Sequence, residues 1–237
     1  MQLFYNPNIT EQTIQFSFDK EESKHIVKVL RKTTGDILHI TNGQGWLFTA
    51  KITIPDLKSC LVTIISKELK TKRPFNLHLA VAPTKMNDRY EWFLEKVTEI
   101  GVDTITPIIC NHSERKVIKR ERFEKILQSA MKQSLNCYLP KLKESASFDD
   151  FINQSHYGDL YIAHCEETRK RSLKELLIPK NDITILIGPE GDFSVKEIES
   201  AISKGYIPVT LGETRLRTET AAIVACHSVA FTNQELL

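Results

Sequence analysis

Apolar and polar residues recur at two different periods along the chain, and the change falls near residue 70. Before it, the pattern is that of short strands. Thr13-Ile14-Gln15-Phe16-Ser17-Phe18 alternates strictly, and stretches within residues 36–41, 47–54 and 61–65 do the same, separated by Thr34-Gly35, Asn42-Gly43-Gln44-Gly45 and Pro55-Asp56. Between the first two strands, residues 23–30 run at helical period with Ile26, Val29 and Leu30 on one side. Short strands, tight turns and one helix predict a small β-barrel over residues 1–70.

Leu69-Lys70-Thr71-Lys72-Arg73-Pro74 is polar, charged and ends in proline, which marks a linker. After it, β-branched runs at 77–82, 105–110, 160–164, 183–187 and 207–211 alternate with helical stretches, the pattern of a parallel sheet covered on both faces. One helix is expected over 87–100, opening at Asn87-Asp88 and stopping at Gly101, with Trp92 and Phe93 in its core stripe. Another is expected over 120–135, with Phe123, Ile126, Leu127, Ala130, Met131 and Ser134 on one side. The last helix, 218–233, is apolar almost all round and therefore predicts burial on several sides. The fold class is α/β, a barrel followed by an α/β domain over 75–237.

Composition narrows the class. With 237 residues, 41% hydrophobic and 26% charged, the chain suits one large folded domain or two small ones. No apolar stretch reaches the ~20 residues that cross a bilayer, and Met1-Gln2-Leu3-Phe4-Tyr5-Asn6-Pro7 has no basic then apolar leader, so a cytoplasmic protein with no membrane partner is expected. Cys60, Cys110, Cys137, Cys165 and Cys226 are scattered without metal-ligand spacing, which predicts free thiols and no metal. The net charge of +2 is uneven: residues 1–75 carry eleven Lys/Arg against seven Asp/Glu, and residues 113–143 nine against three. Such stretches attract a phosphate backbone, and they equally describe a solvated helix face.

Two segments near the C-terminus carry the chemistry. Gly188-Pro189-Glu190-Gly191-Asp192-Phe193-Ser194 and Leu211-Gly212-Glu213-Thr214-Arg215-Leu216-Arg217-Thr218-Glu219-Thr220-Ala221-Ala222 each follow a strand and lead into a helix. Glycine turns leaving neighbouring strands bring bare backbone N–H and C=O groups to one sheet edge, where open α/β folds bind ligands. Neither segment has the glycine spacing that cradles nucleotide phosphates, so a small polar cofactor without that requirement is favoured.

Together the two segments resemble the cofactor loops of the SPOUT class of RNA methyltransferases, and within it the bacterial 16S rRNA (uracil-N3)-methyltransferase family, whose pattern is Gly-Pro-Glu-Gly-Gly-Phe-Ser followed by Leu-Gly…Leu-Arg-x-Glu-Thr-Ala. Asp192 stands where that pattern has its last glycine. The resemblance continues through His25-Ile26-Val27-Lys28-Val29-Leu30-Arg31, Glu95-Lys96-Val97-Thr98-Glu99-Ile100-Gly101 and Gln133-Ser134…Pro140; Asn136 replaces an arginine of the pattern, and no role is carried to it.

The resemblance implies a PUA-like RNA-binding barrel, a SPOUT domain closed by a deep trefoil knot, a homodimer, and S-adenosylmethionine as cofactor. It places the cofactor against Ile187, Gly188, Pro189, Glu190, Gly191, Leu211, Gly212, Leu216, Arg217, Thr218, Thr220 and Ala221, with the backbones of Ile187, Gly188, Leu211 and Leu216 bonded to the adenine. It makes N3 of a uridine in 16S rRNA, within the 30S subunit, the methyl acceptor. Arg217 is then the group that stabilises charge on the uracil as its proton leaves, and Glu219 orients it or acts as base. Arg31, Lys85, Arg89 and Lys96 are the implied phosphate contacts. Plainer roles exist for several: a helix N-terminal carboxylate for Glu219, a salt bridge for Arg217, an i, i+3 surface pair for Lys96. Methylation of another RNA, such as a tRNA ribose 2′-oxygen, and a non-catalytic ribosome-assembly role are the competing functions.

Overall fold

The computed structural model describes residues 1–156, 158–167 and 169–234. Tyr157, Thr168 and residues 235–237, which fall within the second expected domain, lie outside them. The chain divides into two compact units, residues 1–72 with 131–139, and residues 73–130 with 140–237.

In the first unit β1 (Leu3–Tyr5), β2 (Gln15–Ser17), β3 (Ile37–Thr41), β4 (Trp46–Ile54) and β5 (Leu61–Leu69) form one sheet in the order β1-β3-β4-β5-β2. The central three are an antiparallel meander, whereas β1 runs parallel to β3. Alternation buries Leu38, Ile40, Phe48, Ala50, Ile52 and Val62 in one core. The sheet curls until Phe4 of β1 meets Phe18, just past β2, edge to face at 5.7 Å. Among the described residues no strand ladder joins β1 to β2, so the expected barrel is a curled sheet sealed by side chains. The strand β5 also runs through Leu69, taking the first residue of the expected linker.

The helix expected over 23–30 begins earlier and changes type. Helix α1 (Lys20–Lys24) starts where Asp19 accepts the Glu22 N–H at 2.8 Å, a normal N-cap. From His25 to Val29 the turn widens to π geometry, and Arg31 follows in the left-handed region at φ 56°. An inserted residue of this kind leaves no trace in a 3.6-residue period.

The second unit is a parallel sheet of β11 (Arg171–Ser172), β13 (Ile207–Thr210), β10 (Asp159–Ala163), β12 (Ile183–Ile187), β6 (Leu77–Val81), β7 (Thr104–Ile109) and β8 (Lys141–Leu142), in that order, with β9 (Ala146–Ser147) paired to β7. All five residues of β12 are buried, as a strand covered on both faces requires. Helices α2 (Asn87–Ile100), α3 (Arg120–Gln133, whose last three residues belong to the first unit), α4 (Phe148–Ile152), α5 (Leu173–Leu176), α6 (Val195–Ser203) and α7 (Thr218–Thr232) lie between the strands along the chain. Helix α2 stops at Gly101, whose φ of 114° only glycine adopts readily. Ser194 and Glu197 close a capping box at the start of α6.

Two expectations about burial need correction. Phe93 is fully buried, but Trp92 is 48% exposed, because it falls one residue off the stripe that α2 buries. Helix α7 packs on α2, α5, β6 and β12, yet it buries one stripe, Ala222, Ala225, Cys226 and Val229, and leaves Ile223, Val224 and Ala230 partly covered and Phe231 exposed.

Candidate functional site

Because the strands are parallel, the chain leaves β6, β7, β10, β12 and β13 at a common edge. Residues 188–194 follow β12 and residues 211–217 follow β13, with the end of β10 between them in the sheet. The two glycine segments therefore meet. The Thr218 hydroxyl donates to the Gly188 carbonyl at 2.9 Å, in a buried position, and ties one turn to the other.

A cavity of about 250 Å³ opens beside this bond. Of the residues expected at a cofactor site, Ile187, Gly188, Pro189, Glu190, Leu216, Arg217, Thr218 and Ala221 line it. Leu211 and Gly212 line an adjoining pocket of about 70 Å³ that shares Leu216 and Ala221. Gly191 instead packs beneath His112, where an added Cβ would come within 3.0 Å of the His112 Cβ. Thr220 and Glu219 sit in the first turn of α7 and line neither pocket. Ala163, Cys165 and Arg215 are lining residues that the glycine pattern did not single out. The rule that ligands bind at strand C-termini would have found the first two, at the end of β10.

The turn after β12 is braced from outside. Glu190 accepts the Lys85 N–H at 2.9 Å. His112 Nδ1 lies 3.0 Å from the Gly191 carbonyl and 3.1 Å from that of Asp192; carbonyls only accept, so this nitrogen carries the proton. Asn111 is fixed to Glu197 and Ser194 of the capping box at 2.9 Å each. Arg115 donates to the Lys85 carbonyl at 2.7 Å. Behind this lattice Cys110 has its thiol raised, by burial first and then by Glu197, so it is held protonated.

The charges in the cavity are arranged by loop. Glu190 and Asp192 come from the turn after β12, and Arg215 and Arg217 from the loop after β13. Among the described residues none of the four makes an ion pair, although ten such bridges occur elsewhere. The salt bridge that would have explained Arg217 is thus missing. The loop's backbone is also open: no backbone–backbone hydrogen bond uses residues 213–216 among the described residues. By contrast, the Ile187 carbonyl already accepts the Ala82 N–H at 3.0 Å.

Glu219 is paired with Arg89, not Arg217. Its carboxylate is 6% exposed, lies 3.9 Å from the Arg89 guanidinium, and leaves Oε2 buried without a hydrogen-bond partner. Lys85 pairs with Glu114 at 2.8 Å, and Lys96 sits between Glu95 and Glu99 at 2.6 and 3.1 Å, which is the surface arrangement foreseen for it. Arg31 belongs to the other unit and is exposed.

Among the described residues no group of three or more His, Cys, Asp or Glu side chains could hold a metal ion, and no helix is long and apolar enough to cross a membrane.

Known proteins with this sequence pattern agree on one kind of molecule. The RNA methyltransferase domain family matches residues 71–230, and the RNA methyltransferase PUA domain family matches residues 18–65. The chain is 36% identical, over 89% of its length and 86% of the relative's, to the ribosomal RNA small subunit methyltransferase E of Buchnera aphidicola from Acyrthosiphon pisum. A crystal structure from Porphyromonas gingivalis, named a probable rRNA-methyltransferase, is 42% identical with a TM-score of 0.90, covering 98% of each chain. A ribosomal RNA small subunit methyltransferase E from Neisseria gonorrhoeae, solved with S-adenosyl methionine, is 25% identical with a TM-score of 0.88, again covering 98% of each.

Proposed function

Because the chain belongs to the ribosomal RNA small subunit methyltransferase E family, we propose that it transfers a methyl group from S-adenosylmethionine to N3 of a uridine in 16S rRNA. The observation that carries this reading is the cavity between the two turns, with two carboxylates on one loop and two guanidiniums on the other, all four without an ion-pair partner among the described residues. A cofactor bearing ammonium, sulfonium and carboxylate groups needs both signs in its site.

The residues fit that group. The apolar pocket walls, Val209, Leu211, Leu216 and Ala221, suit a flat adenine, and the unspent backbone of residues 213–216 suits its polar edge. A Cβ added at Gly188 would meet the Phe193 ring at 3.1 Å, tighter than an ordinary contact, so the ring would have to shift to admit one. When bound, the cofactor supplies an electrophilic methyl group on sulfur. The chain does the rest. The Thr218–Gly188 bond holds the walls of the site, and Arg217 places a cation where negative charge develops on the uracil as its N3 proton departs. Glu219, in the first turn of α7 and buried beside Arg89 of α2, orients the acceptor side of the site. Holding N3 in line with the methyl at ~3 Å accounts for most of the rate.

Residues 1–70 act as an RNA-binding domain and 75–237 as the catalytic domain, with Arg31, Lys85, Arg89 and Lys96 near phosphate. The trefoil knot is supported by the path from β13, on one side of β10, to α7, packed on β12 and β6 on the other. The half-covered apolar flank of α7, with Phe231 61% exposed, is buried in a homodimer. The protein acts in the cytoplasm on the 30S particle.

Transfer of labelled methyl from S-adenosylmethionine to undermethylated 30S subunits, followed by nucleoside analysis, tests this. Labelled 3-methyluridine is expected; a 2′-O-methyl nucleoside, or no transfer to any small-subunit RNA, overturns it.

A further inference from the structure

Asp192 is an unusual residue for its position. Its φ of 63° lies in the left-handed region, where glycine is the ordinary occupant. Asp tolerates this conformation when its side chain bonds locally, and here Oδ1 accepts the N–H of Phe193 at 2.8 Å. The other oxygen, Oδ2, reaches across to the end of β10 and accepts the Cys165 N–H at 2.7 Å. Both partners are neutral backbone groups. No ion pair offsets this carboxylate among the described residues, and it lines the cavity of about 250 Å³.

That charge is added to one side of a polarised site. Glu190 and Asp192 belong to the turn after β12, whereas both cavity guanidiniums belong to the loop after β13. Methyl transfer changes the charge of whatever occupies the cavity. The sulfonium loses its methyl, the sulfur keeps the bonding electron pair, and a cationic cofactor becomes a neutral thioether. A second carboxylate favours the first of these over the second.

Resting on the cofactor reading above, we propose that Asp192 is a specificity-determining residue that discriminates the charged, methyl-bearing cofactor from the neutral spent one, so that the product is released in preference to the substrate. Its hydrogen bond to Cys165 N–H holds the carboxylate at the cavity wall. A glycine here would keep the turn and lose the discrimination.

The test is calorimetric titration of the full-length protein with three ligands that share adenosine and amino-acid ends: S-adenosylmethionine, S-adenosylhomocysteine, and sinefungin, whose protonated amine replaces the sulfonium. Asp192→Asn removes the charge and keeps one acceptor oxygen, enough for the Cys165 N–H or the Phe193 N–H but not both. It should weaken both cationic ligands relative to S-adenosylhomocysteine by about fivefold, the size of one half-exposed charge interaction. Asp192→Gly should shift the ratio in the same direction. An equal change for all three ligands, or none, in Asp192→Asn overturns the proposal and leaves the cofactor reading intact. Failure of the wild-type protein to bind any of the three overturns both.

Discussion

Thr218→Val removes one hydroxyl and almost no volume, and so isolates the bond that joins the two turns. In the wild-type protein that hydroxyl donates to the Gly188 carbonyl at 2.9 Å, and both residues are buried. Valine leaves the Gly188 carbonyl facing a methyl group in place of its donor. Leaving a buried acceptor short of its partner costs about 1–3 kcal/mol. For a domain of this size that is a drop of about 2–10 °C in Tm, with a matching fall in the urea midpoint at constant m. If the bond also preforms the cavity, affinity for S-adenosylhomocysteine falls by at most the same free energy, about 5- to 150-fold. Thr218→Ser keeps the donor and loses only a methyl group, so it should bind nearly as the wild type does. Urea unfolding and calorimetry on the three proteins decide the matter. A Thr218→Val variant as stable and as tight as wild type refutes the reasoning, and so does a Thr218→Ser variant as impaired as the valine.

Three other outcomes are expected. Cys165 is the exposed cysteine of the five and lines both pockets, so a thiol reagent should modify one thiol per native chain and all five in denaturant, with S-adenosylhomocysteine protecting that one; rapid labelling unaffected by ligand would place the site elsewhere. Burial, then His156 and Lys143, lowers His78 to about 4, so the unfolded chain takes up a proton that the folded one refuses: stability is complete above pH 6.5 and falls as pH drops toward 4. The loss is roughly 2.4 kcal/mol between pH 7 and 4.5, measured by urea unfolding at those two values, and His78→Gln should flatten the slope. Arg217→Ala should lower kcat by about two to three orders of magnitude with a smaller change in KM, as for loss of one charge-stabilising group; a pure KM effect would make Arg217 a binding residue only.

Much of the second unit could be read in the sequence because its signals are local. Helix α2 was expected at its observed limits, Asn87–Ile100, since Gly101 ends it through a conformation other residues avoid. The strand β12 is an uninterrupted apolar run because both its faces are covered. What could not be read depends on residues far apart in the chain. Two-residue strands such as β8 and β11 have no periodicity of their own, and the placement of β10 between β13 and β12 is a property of the sheet. Trp92 looked like core because a stripe fixes which face is apolar only to within one residue.

The site shows the same division. The glycine turns announce themselves, and eight of the residues chosen from them do line one cavity. The pairing of Glu219 with Arg89 joins positions 130 residues apart and is invisible along the chain. Asp192 was legible only as a departure from a glycine pattern; its bond to Cys165 N–H, which gives that departure a purpose, required the end of β10 to be in place.

The most direct measurement of the central claim is mass-spectrometric nucleoside analysis of 16S rRNA from cells lacking this protein, with and without a plasmid copy. Loss of 3-methyluridine that the wild-type chain restores and Arg217→Ala does not is the predicted result. Unchanged 3-methyluridine in the deletion, or full restoration by Arg217→Ala, would contradict the account.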